Sequence, residues 1–216
     1  MRIALLVGIS GKIGKSLLDA LLNNRHYKKT IVLTRHENRR LKNIHLKKVT
    51  VDFSMVENNL EDFNEVDDVF CLLGTDYINT TKIEDASLFD YEYPLNVARI
   101  AKKAGVKNFY LLSSSKSNIQ ANSEKLKVRA KLENQIDALG FENFYMFKIN
   151  RVGKAINLDS GFYLAKRGFS SIINTIGMGV LDKVKSTPAN ILANKILEVA
   201  VSNPLEKRVF FPSDIN

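Results

Sequence analysis

Three glycines, Gly8, Gly11 and Gly14, in the stretch VGISGKIGKSLL, are the residues whose type and spacing point most directly to chemistry. They stand between an apolar β-rich run and a helical pattern. A turn of that kind brings free backbone N–H groups and the positive end of a helix dipole to bear on an anion. Gly8 permits the tight turn, Gly11 a close approach of backbone to ligand, and Gly14 the packing of helix on strand. With Ser10, Lys12 and Ile13 between them, they form a candidate pyrophosphate-binding turn for a dinucleotide. The spacing is Gly-x-x-Gly-x-x-Gly rather than Gly-x-Gly-x-x-Gly, so its specificity comes from its place after the first strand of an alternating chain.

A second candidate follows the next β-rich run, where the chain reads Thr34-Arg35-His36. A site selective for NAD offers a carboxylate to the ribose hydroxyl at this point, and none is present. Arg35, with Arg39 or Arg40 as helpers, can grip a 2'-phosphate with its planar fork. NADP is therefore the expected cofactor in preference to NAD, the alternative being an Arg35 that faces solvent. By position alone, Asp52 and Phe53 at the end of the third strand adjoin the adenine edge. Leu73, Gly74 and Thr75 after the fourth would line the ribose and pyrophosphate. No metal-ligating set is assigned.

The elements that must position these residues are short β-rich runs alternating with helical patterns: RIALLVG, KTIVLTR, KKVTVDF, DVFCLLG, NFYLLSS, NFYMFKI and KRVFFP. That alternation predicts an α/β fold, a Rossmann-like doubly wound parallel sheet with right-handed crossovers. Ile13, Leu17, Leu18, Leu21 and Leu22 recur at helical spacing and should pack the first helix on the sheet. A helix from about Phe89 to Ala104 is closed by Gly105. A last helix over STPANILANKILEVAVSN should be capped by Thr187, with Pro188 in its first position. Residues 1–216 read as a single domain, with a cofactor core over 1–150. Residues 151–216 form an irregular substrate-side region followed by the last helix and strand. Two irregular stretches, 75–90 and 151–186, follow strand ends, where open α/β sheets bind ligands.

The chain has 216 residues, 45% of them hydrophobic and 25% charged, enough for one full core. Its formal net charge of +9 favours an anionic partner, and much of the excess lies in RHENRRLKNIHLKK. That cluster has no aromatic residue to stack on bases, so a nucleic-acid partner ranks last and a solvated basic face or a phosphorylated cofactor ahead of it. The only cysteine, Cys71, lies in VFCLLG and reads as a small buried strand residue. A cytoplasmic location is expected, with no membrane span and a start that reads as the first strand.

Taken in order, GISGKIG, VFCLLGT, FDYEYPLNVARIAKKAGVKNFYLLSSS and the helix containing LKVRAKLE resemble the atypical, extended branch of the short-chain dehydrogenase/reductase superfamily. Within it, the similarity is to the NAD(P)H-binding proteins related to the Tat-interacting oxidoreductase-like protein. The resemblance spans most of residues 1–150 and implies a nicotinamide cofactor and hydride transfer to or from a carbonyl compound. It also implies a serine after the fifth strand, at Ser114 or Ser115, and a Tyr-x-x-x-Lys pair on the next helix. Here the tyrosine position falls on Lys125 and the lysine position on Arg129. Two cations at that spacing should repel, and neither carries a neutral hydroxyl. Lys125 remains a candidate for proton transfer or for a cofactor contact, the alternative being a plain surface helix. Tyr77, Tyr93 and Tyr163 are displaced tyrosines to consider, Tyr93 more for packing than for chemistry. The exit of the sixth strand reads Lys148-Ile149-Asn150 where relatives carry Arg-Pro-Gly, so the substrate pocket departs from theirs.

Two functions follow: an NADP(H)-binding oxidoreductase lacking the usual Tyr/Lys pair, or a non-catalytic NADP-dependent sensor or scaffold.

Overall fold

A computed structural model describes residues 1–37, 42–74, 87–150, 152–153 (backbone only), 187–206 and 208–215. Thr75, Arg39, Arg40, Tyr77 and Tyr163 lie outside the described residues. Seven parallel strands form the central sheet in the order β3-β2-β1-β4-β5-β6-β9. They are β1 (Arg2–Val7), β2 (Tyr27–Thr34), β3 (Leu46–Thr50), β4 (Asp68–Cys71), β5 (Asn108–Ser114), β6 (Asn143–Ile149) and β9 (Val209–Phe210). A separate parallel pair joins β7 (Val152–Gly153) to β8 (Thr187–Pro188). The sheet is the expected Rossmann-like one, with the order reversing at β1 and β4.

The sheet is buried on both faces, so its strands are near-continuous apolar runs whose alternate side chains feed two cores. Ile3, Leu5 and Val7 of β1, with Val69 and Cys71 of β4, join one cluster; Ala4, Leu6 and Phe70 join the other. The second face is covered by α1 (Lys12–Leu22) and α4 (Ala189–Ser202). Ile13, Leu17, Leu18 and Leu21 of α1 are buried, and Leu22 packs at its edge. The first face is covered by α2 (Tyr93–Lys103), α3 (Glu124–Asp137) and a 3-10 segment at Phe53–Phe63. Cys71 is fully buried, and burial pushes its thiol up to about 11.

At the strands' amino ends, β1, β2, β4 and β5 are tied together by one carboxylate. Buried Asp68 accepts from Tyr27 Oη at 2.8 Å, Asn108 Nδ2 at 2.8 Å and Tyr110 Oη at 3.3 Å, and pairs with Arg2 Nη1 at 3.2 Å. Burial raises the Asp68 carboxyl pKa, while Arg2 and the hydrogen bonds oppose the shift.

The helix expected from Phe89 is continuous but begins with a π turn at Leu88–Glu92, in which Tyr93 N donates to Leu88 O. Pro94 explains the wide turn, because it has no N–H for the carbonyl of Asp90 and its ring would press on that oxygen in an α turn. Gly105, at φ +82°, follows the last helical residues as expected. Two boundaries need correction. Thr187 does not cap the last helix: it and Pro188 pair in extended form with Val152 and Gly153, so Pro188 is the cap and Ala189 the first helical residue. Asp52 and Phe53 do not end the third strand, which stops at Thr50; Asp52 instead caps the 3-10 segment through Ser54 N at 2.9 Å.

Candidate functional site

The site forms along the carboxyl ends of β1, β2, β4 and β5, on either side of the point where the strand order reverses. Its first part is the turn between β1 and α1. Gly8 has φ +97°, and a Cβ on it would lie 2.7 Å from the carbonyl group of Leu72. A Cβ on Gly14 would lie 2.2 Å from Gly8 O. Both glycines are therefore demanded by the packing of turn, helix and β4. Gly11 differs, since the nearest atom to its Cβ position is Gly8 O at 3.8 Å. It is the N-cap of α1, whose first turn carries no acidic residue and whose end receives no side-chain cap. Ser10 and Lys12 are exposed beside it, and Ile13 turns into the core. An open turn at an uncapped helix end, with free backbone amides, has the character of an anion site, and a pyrophosphate there would supply a negative charge to those amides.

The second part joins α3 to the π turn. Lys125, Arg129 and Glu133 repeat every fourth residue and so share one helix face. The expected repulsion between the first two is offset by Asp90, a residue the sequence reading missed. Asp90 Oδ2 lies 3.5 Å from Lys125 Nζ and its Oδ1 3.7 Å from Arg129 Nη1. Asp90 and Arg129 are 3% and 8% exposed at their side chains, Lys125 20%, so only the lysine reaches the surface. Arg129 Nη2 donates to Leu73 O at 3.1 Å and Leu112 O at 2.8 Å, which ties the exits of β4 and β5 together. Gly74 lies over this guanidinium, with its Cβ position 2.8 Å from Nη2. Arg129 thus sits beneath Gly74 at the exit of β4, and Leu73 is buried there with it.

One turn further, buried Glu133 accepts from Ser113 Oγ and Ser117 Oγ, each at 2.5 Å, and pairs with Lys148 Nζ at 2.8 Å. The candidate serines lie beside this network. Ser114 is buried, and its Oγ accepts from Lys116 N at 3.2 Å. Ser115 is part-exposed and hydrogen-bonds Asn150 of the strand-six exit. Lys148 and Asn150, two of the residues that depart from the related pattern, therefore brace the loop that carries the serines.

The third part is at the exit of β2. Thr34 Oγ1 donates to His36 O at 2.9 Å and turns the chain sharply at Arg35. Arg35 is exposed, with its guanidinium carbon 4.4 Å from the centroid of the Phe89 ring. Asp52 is exposed too, and hydrogen bonds from Ser54 hold its carboxyl below the ordinary range. Phe53 is only 3% exposed and packs under Tyr93, so it backs the site from within the core. Asp90 and Glu133 carried no local signal in the sequence, because their cationic partners are distant along the chain. Phe89 carried a faint one, an aromatic side chain at the solvent-side start of a helix.

Comparison with known proteins places this geometry. Residues 8–138 match the family model described as NAD(P)H-binding. Protein FMP52-1, mitochondrial, of Scheffersomyces stipitis is 26% identical over 204 residues, covering 92% of this chain and 84% of that protein. Protein HTATIP2 of Rattus norvegicus is 27% identical over 202 residues, covering 88% and 80%. Among solved structures, the Bordetella bronchiseptica enzyme WbmH in complex with NAD+ superposes with a TM-score of 0.69 at 18% identity, over 98% of this chain and 75% of that one. That last likeness is one of fold.

Proposed function

The chain belongs to the NAD(P)H-binding family, and from that premise we propose that it binds NADP(H) as an oxidoreductase of the atypical short-chain type lacking the usual Tyr/Lys pair. The observation that carries the choice of NADP is Arg35 at the exit of β2, where Thr34-Arg35-His36 offers a guanidinium and no carboxylate. Backbone amides at Gly11, Lys12 and Ile13 would hold the pyrophosphate, with Ser10 at the rim. Leu73 and Gly74 would line the ribose side over the Arg129 guanidinium. When bound, the nicotinamide supplies the hydride. Lys125, held by Asp90 and the only member of that trio at the surface, would present an N–H donor to a substrate or ribose oxygen. Ser115, whose hydroxyl donates to Asn150 Oδ1, would offer its lone pairs to a substrate hydroxyl.

NADPH should bind about tenfold tighter than NADH, the scale of one charge-assisted contact to a phosphate. Titration of the full chain by nicotinamide fluorescence measures this, and equal affinities sink the phosphate grip. For the chemistry, a panel of quinones, aldehydes and ketones with NADPH should show slow turnover, below the ~10 s⁻¹ typical of enzymes. Lys125→Met should lower it about tenfold, the scale of one charge-assisted hydrogen bond, with NADPH affinity falling too if its partner is the ribose and holding if its partner is the substrate. Unchanged turnover in that variant would remove Lys125 from the reaction.

The second reading, a sensor or scaffold, is favoured by the burial of Arg129, which by its distance from the serines falls at the family's lysine position and whose Nη2 is engaged by the Leu73 and Leu112 carbonyls. Wild-type protein that binds NADPH but turns over no substrate would select it. We propose a cytoplasmic location from the single buried thiol, although the name of the Scheffersomyces stipitis relative describes that protein as mitochondrial. Among the described residues, no helix is long and apolar enough to cross a membrane.

A further inference from the structure

We propose that Phe89 is the positioning residue for cofactor selectivity: its ring holds the Arg35 guanidinium by one face, so that the N–H edge is presented to a phosphate on the ribose 2' oxygen. The inference rests on the NADP reading given above and adds a residue to it. An exposed arginine side chain samples many rotamers, and fixing it on a ligand costs entropy that weakens the contact. Stacking on an aromatic ring removes much of that freedom beforehand. It also leaves the in-plane donors open, because all five N–H groups of a guanidinium point outward in its own plane. The Arg35 guanidinium carbon lies over the Phe89 ring, 4.4 Å from its centroid, well inside the range of a cation–π contact. Among the described residues, no carboxylate forms an ion pair with Arg35.

The platform is itself anchored. Phe89 meets Tyr93 edge to face, centroids 5.2 Å apart at 89°, and Tyr93 packs on buried Phe53 at 5.8 Å. An aromatic wall thus runs from the core out to Arg35. The adjacent residue, Asp90, points the other way into the pair with Arg129, which fixes the turn that carries Phe89. One short turn thereby serves both ends of the cleft: Phe89 braces the arginine after β2, and Asp90 braces the cations of α3.

The test is direct titration of NADPH and NADH against the wild type, Phe89→Leu, Phe89→Tyr and Arg35→Leu. Phe89→Leu should weaken NADPH binding three- to fivefold and leave NADH within twofold, the loss expected for one exposed cation–π contact. Phe89→Tyr should retain the wild-type ratio, and Arg35→Leu should abolish the preference. If Arg35→Leu loses the preference and Phe89→Leu keeps it, Phe89 has no positioning role while the NADP reading stands. Equal weakening of both cofactors by Phe89→Leu would make the residue merely structural and overturn the inference. If the wild type itself shows no preference, the NADP reading fails and takes the inference with it.

Discussion

Arg129→Met should lower the unfolding free energy by about 3–5 kcal/mol, the range for breaking a buried ion pair by removing one partner. It should appear as a fall in the denaturation midpoint at unchanged slope. The variant leaves the Asp90 carboxylate stranded from one of its cations, and the carbonyls of Leu73 and Leu112 without the Nη2 donor. Buried acceptors that lose their donor are expensive because no water replaces it. Arg129→Lys keeps the charge but has a single nitrogen for two carbonyls and an acid, so it should recover only part of the loss. Adding Asp90→Asn to Arg129→Met removes the stranded charge and should also recover part. A loss below about 1 kcal/mol, typical of exposed pairs, would show that the buried arginine does not hold the β4 and β5 exits together.

Gly11→Asp should do the opposite, leaving the fold intact and weakening NADPH and NADH alike by roughly 100-fold. The backbone at Gly11, φ −74° and ψ 164°, suits any residue, and its Cβ position meets nothing closer than 3.8 Å. Aspartate is a favoured cap, and its charge at the helix start is worth about 0.3–1 kcal/mol to stability. That same carboxylate would repel a pyrophosphate placed on the α1 amides. Melting within a few degrees of wild type together with lost binding is the expected pair of results. Normal binding by Gly11→Asp would move the phosphates away from this turn. Gly14→Ala is the useful contrast, since its methyl would meet Gly8 O at 2.2 Å and should cost stability before affinity is considered.

The parts of the site that were legible in the sequence are those set by local backbone constraints. Gly8 and Gly14 announce a turn because no other residue fits there, and the leucines of α1 announce a buried face because helical spacing repeats every few residues. The doubly wound parallel sheet followed from alternation and handedness, which are rules about neighbours in the chain. The charge balance around Lys125 and Arg129 was not legible, because it depends on Asp90, which only the fold brings near. Read along α3 alone, two cations repel; in the folded chain a buried acid faces both. Arg129 likewise gave no sign of burial, whereas its Nη2 donates to the Leu73 carbonyl just past β4 and to the Leu112 carbonyl of β5. Thr187 was assigned as the cap with Pro188 in the first helical position, and long-range pairing of both with Val152 and Gly153 moved the helix start to Ala189.

Pro94 has a consequence for how this stretch tolerates change. The π turn it imposes sets the phase between Phe89 and Asp90 on one side and α2 on the other. Each helical residue rotates the chain by about 100°, so losing one residue between Leu88 and Glu92 would swing the aromatic ring off Arg35 and the carboxylate out of the core together. Substitutions here act on one contact at a time. A change of length acts on both, which makes this junction a fixed-length hinge pin in the evolution of the domain.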